Sequence, residues 1–244
     1  MSRTVLAFPV LSGKSADARL VADEFRARPR EYEQSRRRAG ITLERAYLQE
    51  TPMGSFVIAY IEATADFATV SQMAQSGLDI DRFFVKTVKE VHGVDLSQSQ
   101  AALPETIAGW FDPDVAPRGQ GMAFCAPLLA ETLDEALSYL PQAYASREFA
   151  ASRRALGQHG EVVSLLQTPM GPLGAGYLEG VDPFEANRQF AASGEPFDVT
   201  FKEQLRRFFP PSVDFDKPIA GVQEIFDSTK VASLAGGASE REAA

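Results

Sequence analysis

A chain of 244 residues with 45% hydrophobic content is long enough to bury a sizeable core. Its net charge of −9 argues against a phosphate-backbone partner, which wants a basic face, so no nucleic-acid partner is expected. One cysteine, Cys125, excludes an intrachain disulfide framework and suits a reducing compartment.

Residues 4–11 are short and apolar, are followed by Ser12 and Gly13, and read as a strand. They reach Pro9 and then Gly13-Lys14 too soon for a signal peptide. Ser15 suits the N-cap of a long helix that stops near Gly40, with Leu20, Val21 and Phe25 on its apolar face and a kink or restart at Pro29. Two strands follow, 43–50 and 55–63, joined by Thr51-Pro52-Met53-Gly54, whose Pro and Gly suit a hairpin turn. Helical runs at 67–76 and 79–92 flank a break at Gly77, and 105–111 reads as a closing strand. The order β-α-β-β-α-β is the ferredoxin-like arrangement.

The chain then repeats itself. REYEQSRRRAGITLERAYLQETPMG (30–54) recurs as REFAASRRALGQHGEVVSLLQTPMG (147–171), 117 positions later and without a gap. At the same spacing Tyr60 and Glu62 match Tyr177 and Glu179, Asp81 matches Asp198, and Phe84 matches Phe201. Farther on, Phe111-Asp112 recurs as Phe226-Asp227. The second copy reads as strand 122–128, a helix over 132–156 carrying Pro141, hairpin strands 161–167 and 173–179, helices 182–193 and 198–209, and closing strand 220–226. A period this long marks duplication of a whole domain and not a solenoid. The expected division is repeat 1 over 1–112, repeat 2 over 120–227, and a disordered tail from 228 to 244. The longest apolar run, 122–130, is under half a membrane span and contains Pro127, so a cytoplasmic protein without a membrane partner is expected.

Several side chains are candidates for ligand binding. Tyr60 and Glu62, like Tyr177 and Glu179, share one face of a strand by two-residue alternation, and a phenol beside a carboxylate can orient a polar ligand or move a proton. Arg36-Arg37 and Arg153-Arg154 could fork onto an anion, with Arg153 carried forward as a candidate. The alternative is that they complement the dipole of a helix capped by Gly40 or Gly157. Gly174 and Gly176, where the first copy has Val57 and Ala59, thin one wall for a helix or a ligand. His92 and His159 break the repeat, aligning with Phe209 and Thr42; each is a candidate acid–base group or haem ligand, or else a helix-end and a loop residue. No metal-ligand spacing, Ser/His/Asp order or dinucleotide fingerprint occurs, and no cofactor is expected.

A ferredoxin-like sheet carries helices on one face and leaves the other to be covered. With its SRRxxG…TPMG pattern and the His92-Gly93-Val94-Asp95-Leu96-Ser97 segment, the chain resembles the dimeric α/β-barrel superfamily. That superfamily includes small antibiotic-biosynthesis monooxygenases, EthD-type proteins and muconolactone isomerases. The resemblance implies an α+β fold of two tandem βαββαβ repeats forming an intrachain pseudo-dimeric α/β barrel, as a monomer or homodimer. It implies a small-molecule binder or a cofactor-independent enzyme of monooxygenase or isomerase type. A haem-binding protein and a non-enzymatic interaction protein are the alternatives. A fold of this breadth does not fix a reaction.

Overall fold

The computed structural model describes residues 1–64, 73, 75–96, 104–115 and 119–231. The first repeat opens with β1 (Ser2–Pro9) and a 3-10 turn (Ser15–Arg19), followed by α1 (Leu20–Ala27) and α2 (Pro29–Arg38). The expected single helix is therefore two, and Pro29 stands in the first turn of the second, where its missing N–H costs nothing. Ser15 lies inside the 3-10 turn and makes no capping hydrogen bond. Gly40 closes the run in the left-handed region at φ 69°. Strands β2 (Ile41–Thr51) and β3 (Gly54–Ala63) form the expected hairpin. Its turn is fixed by the Thr51 hydroxyl, which accepts from the Met53 amide and donates to the Gly54 carbonyl. Then comes α3 (Asp79–His92). The helix expected over 67–76 lies mostly outside the described residues.

After β4 (Glu105–Phe111) the second copy supplies β5 (Gln120–Pro127), α4 (Leu133–Tyr144), α5 (Arg147–Ala155), β6 (Gln158–Thr168) and β7 (Gly171–Gly180). It ends with α6 (Pro183–Ala192), α7 (Pro196–Phe208) and β8 (Val222–Asp227). Pro141 sits inside α4 without ending it; the break falls at Ser146, whose hydroxyl caps α5 by accepting from the Phe149 amide. Ser146 is the repeat partner of Pro29, so one helix start is secured by a proline and its copy by a capping hydroxyl. The duplication extends to a bulge, which falls between Ile41 and Leu43 in one hairpin and between Gln158 and Gly160 in the other.

Two four-stranded sheets result, in the orders β1-β3-β2-β8 and β4-β6-β7-β5. Each keeps the 1-3-2 order of a ferredoxin-like repeat, and the α+β class stands. The closing strands differ from expectation, because each completes the other repeat's sheet: β4 pairs antiparallel with β6, and β8 lies beside β2. The compact units are 1–3, 8–103 and 223–244, and 4–7 with 104–222. The linker permits this. β4 and β5 stand three strand spacings apart, about 14 Å, and eight intervening residues can reach roughly 26 Å. Side-chain burial holds the exchange in place. Ile107 and Ala108 join the second unit's core with Phe149, Phe201 and Phe208, while Phe226 joins Phe25, Tyr32 and Ile80 in the first. Ser228 to Val231 form a helical turn, with Val231 in the same core, which corrects the expectation of disorder from 228; residues 232–244 lie outside the described residues.

Candidate functional site

The helix-facing side of each sheet carries one buried ionic cluster, made twice. In the first unit Arg36 Nε donates to Glu44 at 2.6 Å, the Tyr32 hydroxyl donates to the same carboxylate at 3.1 Å, and Asp81 stands 3.8 Å from the guanidinium while accepting from Ser35. In the second, Arg153 Nε donates to Glu161 at 2.7 Å, Tyr144 donates to Glu161, and Asp198 stands 3.8 Å away while accepting from Ser152. The guanidinium of Arg36 lies 4.4 Å from the Phe25 ring centre and that of Arg153 lies 4.3 Å from Phe149. The tyrosine changes helix between the copies. Tyr32 belongs to α2, but its repeat partner is Phe149, and the phenol comes instead from Tyr144 of α4. A pair of neighbouring rings stands here in each unit, tilted for Phe25 and Tyr32 and stacked for Tyr144 and Phe149, and one ring of each pair bears the hydroxyl. Burial, then the neighbouring carboxylate, pushes both phenols well above their ordinary value. Arg153 is thus a buried cation paired with Glu161, and it also stands in the last turn of α5, where a cation complements the helix dipole. Its neighbour Arg154 forks onto Asp112 at 2.6 and 3.0 Å.

The opposite faces hold the other candidates. Tyr60 donates to Glu62 at 2.7 Å, and Tyr177 donates to Glu179 at 2.7 Å, all four being buried. Cross-strand register brings Arg45 opposite Tyr60, Tyr47 opposite Ile58, and Gln49 opposite Phe56. Arg45 pairs with Asp227 of β8 at 3.2 Å, and Arg3 of β1 donates to Glu62 at 3.1 Å. Sequence reasoning missed Arg45, Tyr47, Gln49 and Asp227. The signal was their departure from the repeat, since the matching positions of β6 are Val162, Ser164 and Leu166. On β7 Phe56 and Ile58 become Leu173 and Ala175, so the second face keeps Tyr177 and Glu179 and loses bulk or polarity around them. Its other strand adds Ala123 opposite Tyr177 and Cys125 opposite Ala175. Burial pushes the Cys125 thiol up to about 12, as suits an inert core residue. The glycines of β7 serve the helix side: a Cβ at Gly176 would stand 2.7 Å from the Phe124 ring, and one at Gly174 would stand 3.4 Å from Leu128. They accommodate neighbouring side chains.

The histidines fall in different units. His92 ends α3 before Gly93, which is left-handed at φ 71°, and its Nδ1 lies 2.9 Å from the Pro9 carbonyl, pinning the helix end to β1. Burial lowers its pKa below the ordinary imidazole value, although the bond to Pro9 pulls the other way. The unfolded chain therefore takes up the proton first. The stability this supplies is present above the ordinary imidazole range and is lost as pH falls through it toward the lowered folded value. His92→Phe, which installs the residue found at Phe209, should flatten the fall of the urea midpoint between about pH 7 and about pH 5; parallel wild-type and variant slopes would refute this. His159, on β6, accepts from the Asp112 amide through its carbonyl, and its buried Nδ1 has no hydrogen-bond partner among the described residues. Among those residues no group of three or more His, Cys, Asp or Glu could hold a metal ion, and no helix is long and apolar enough to cross a membrane.

No family model matches the chain, and no curated protein matches it. Among solved structures it is similar to a candidate monooxygenase from Fusobacterium nucleatum (TM-score 0.47, 10% identity, 91% of this chain and 88% of that one). It is also similar to an anthrone oxidase-like protein (TM-score 0.49, 9% identity, 91% and 92%). A third is a candidate monooxygenase from Lactobacillus acidophilus (TM-score 0.43, 10% identity, 93% of both chains).

Proposed function

We propose that this chain binds a small molecule against the helix-free face of its first sheet. We assign it there as a cofactor-independent enzyme of the monooxygenase or isomerase type. The observation that carries the reading is the concentration of Arg45, Tyr47, Gln49, Tyr60, Glu62 and Asp227, all buried, on one sheet face whose copy keeps only the Tyr–Glu pair on its hairpin strands. Burying polar groups is costly, and the second face shows that the fold does without most of them. The chemical step these residues supply is proton removal. Tyr60 donates to Glu62, so a proton leaving a ligand seated at the phenol reaches the carboxylate through it. Both reaction types start from the resulting anion.

The test is a thermal-shift screen of phenols, quinones and aromatic acids. A true ligand at ~100 times its dissociation constant adds about 2.7 kcal/mol. Tyr60→Phe and Glu62→Gln should weaken a hit by roughly tenfold to a hundredfold, the worth of a hydrogen bond to a charged group. Tyr177→Phe and Glu179→Gln should leave it unchanged. The reverse pattern would move the site to the second unit and end the assignment.

A further inference from the structure

The Tyr60–Glu62 pair has a third member whose place is blank in the copy. Arg3 Nε and the Tyr60 hydroxyl both donate to one atom, Glu62 Oε1, at 3.1 and 2.7 Å. The Glu62 side chain is 6% exposed and that of Arg3 28%. From β1, the edge strand, a guanidinium thus reaches a carboxylate held largely out of water.

The second copy acts as an internal control. Pairing Ala7-Phe8 with Ala123-Phe124 sets Gly119 at the place of Arg3. A Cβ there would stand 2.2 Å from the Gly180 carbonyl oxygen, so the position takes no side chain. Tyr177 and Glu179 nevertheless keep their hydrogen bond at 2.7 Å. A Tyr–Glu pair on this strand forms without an arginine from that position. Arg3 therefore calls for a reason beyond holding the pair together.

Resting on the proton-removal reading above, we propose that Arg3 is the positioning residue of the Tyr60–Glu62 relay. The O–H bond of the ligand breaks and its proton bonds to Tyr60 Oη, while the proton that Tyr60 carried passes to Glu62 Oε1. The electron pair stays on the ligand oxygen, and nothing is oxidised or reduced. One negative charge thus moves from Glu62 to the ligand. A buried negative charge is costly unless a cation or hydrogen-bond donors face it, and Arg3 supplies both beside the atom that receives the proton. Without Arg3 the carboxylate is discharged by a proton from water, and the ligand keeps its own.

The probe is 4-nitrophenol, whose ionised form has its own visible absorption band. Spectra are recorded on the full chain at about one pH unit below the pKa of the probe, where the free probe is mostly neutral. The wild type should convert bound probe to the ionised form. In Arg3→Met the ratio of ionised to neutral bound probe should fall at least about tenfold, the worth of a hydrogen bond to a charged group. Arg3→Lys restores the charge and should return the ratio to within about threefold of the wild type. An arginine with only a structural role would change how much probe binds and not its ionisation. Where Arg3→Met does not fold, Arg3→Gln, which keeps a donor and drops the charge, takes its place with the same expected loss. An unchanged ratio in the uncharged variant, or a lysine variant as poor as it, overturns the inference while leaving the site. A wild type that fails to bind the probe up to its solubility limit, binds it only in the neutral form, or ionises it equally after Glu62→Gln removes the proton-removal reading itself.

Discussion

Glu161→Leu is expected to destabilise the chain by about 3–5 kcal/mol, the cost of leaving one member of a buried ion pair without its partner. Arg153 is 3% exposed, and its close partner is the Glu161 carboxylate at 2.7 Å; Asp198, at 3.8 Å, is too far to replace it. The substitution also strands the Tyr144 hydroxyl, which donates to the same carboxylate. In a domain of this size such a loss lowers Tm by on the order of 10 °C. Adding Arg153→Met should recover most of it, because a well-packed apolar pair is often as stable as the buried ion pair it replaces. Arg153→Lys should not be tolerated in the same way. A lysine cannot reproduce the planar stack on Phe149 while also reaching the carboxylate. Urea unfolding of the two single variants and the double variant gives the coupling directly. A Glu161→Leu cost below about 1 kcal/mol would show that Arg153 finds water or another acceptor and is not held by this cluster.

The cluster also shows what a sequence of this kind discloses. The duplication, both hairpins, α3 and the class of fold were legible, since turn chemistry and periodicity are local and the repeat supplied each signal twice. Arg36 and Arg153 read as dipole caps because both precede a left-handed glycine. Their partners, Glu44 and Glu161, lie eight residues on, in strands whose facing side only tertiary packing decides. The acid matched between the two strands, Glu44 against Glu161, was the clue available. The exchange of the phenol between Tyr32 and Tyr144 was hidden for another reason: the repeat alignment sets Tyr32 against Phe149, while the conserved object is a hydroxyl position in space. The destination of β4 and β8 was not legible. Strands 105–111 and 222–227 carry no pairing code in their pattern, and each had an equally plausible edge in its own repeat. Of the site, Tyr60 and Glu62 were found by alternation. Arg45 was not, because an arginine in a strand reads as solvent-facing until tertiary packing sets Asp227 of β8 beside it.

The exchange has a consequence that separates the two units. A chain ending at Gly221 lacks β8 and the turn behind it, and its first unit should fail to fold while the second remains. The lost segment carries Ile225, Phe226 and Val231, at 4%, 2% and 1% exposure, and the carboxylate that pairs with Arg45. Deleting a buried large side chain costs roughly 2–5 kcal/mol, so three of them exhaust the 5–15 kcal/mol that usually holds a domain together. Removal of β8 also strips β2 of its neighbour and leaves a three-stranded sheet with an open edge. The second sheet loses nothing, since β4, β6, β7 and β5 all precede the cut. Hydrogen exchange followed by mass spectrometry should therefore show the amides of β2 and β3 exchanging freely and those of β6 and β7 still protected. If the closing strand instead served its own repeat, the same truncation would open the edge of the second sheet and spare the first. Protection lost in β6 and β7 but kept in β2 and β3 would contradict the exchanged topology.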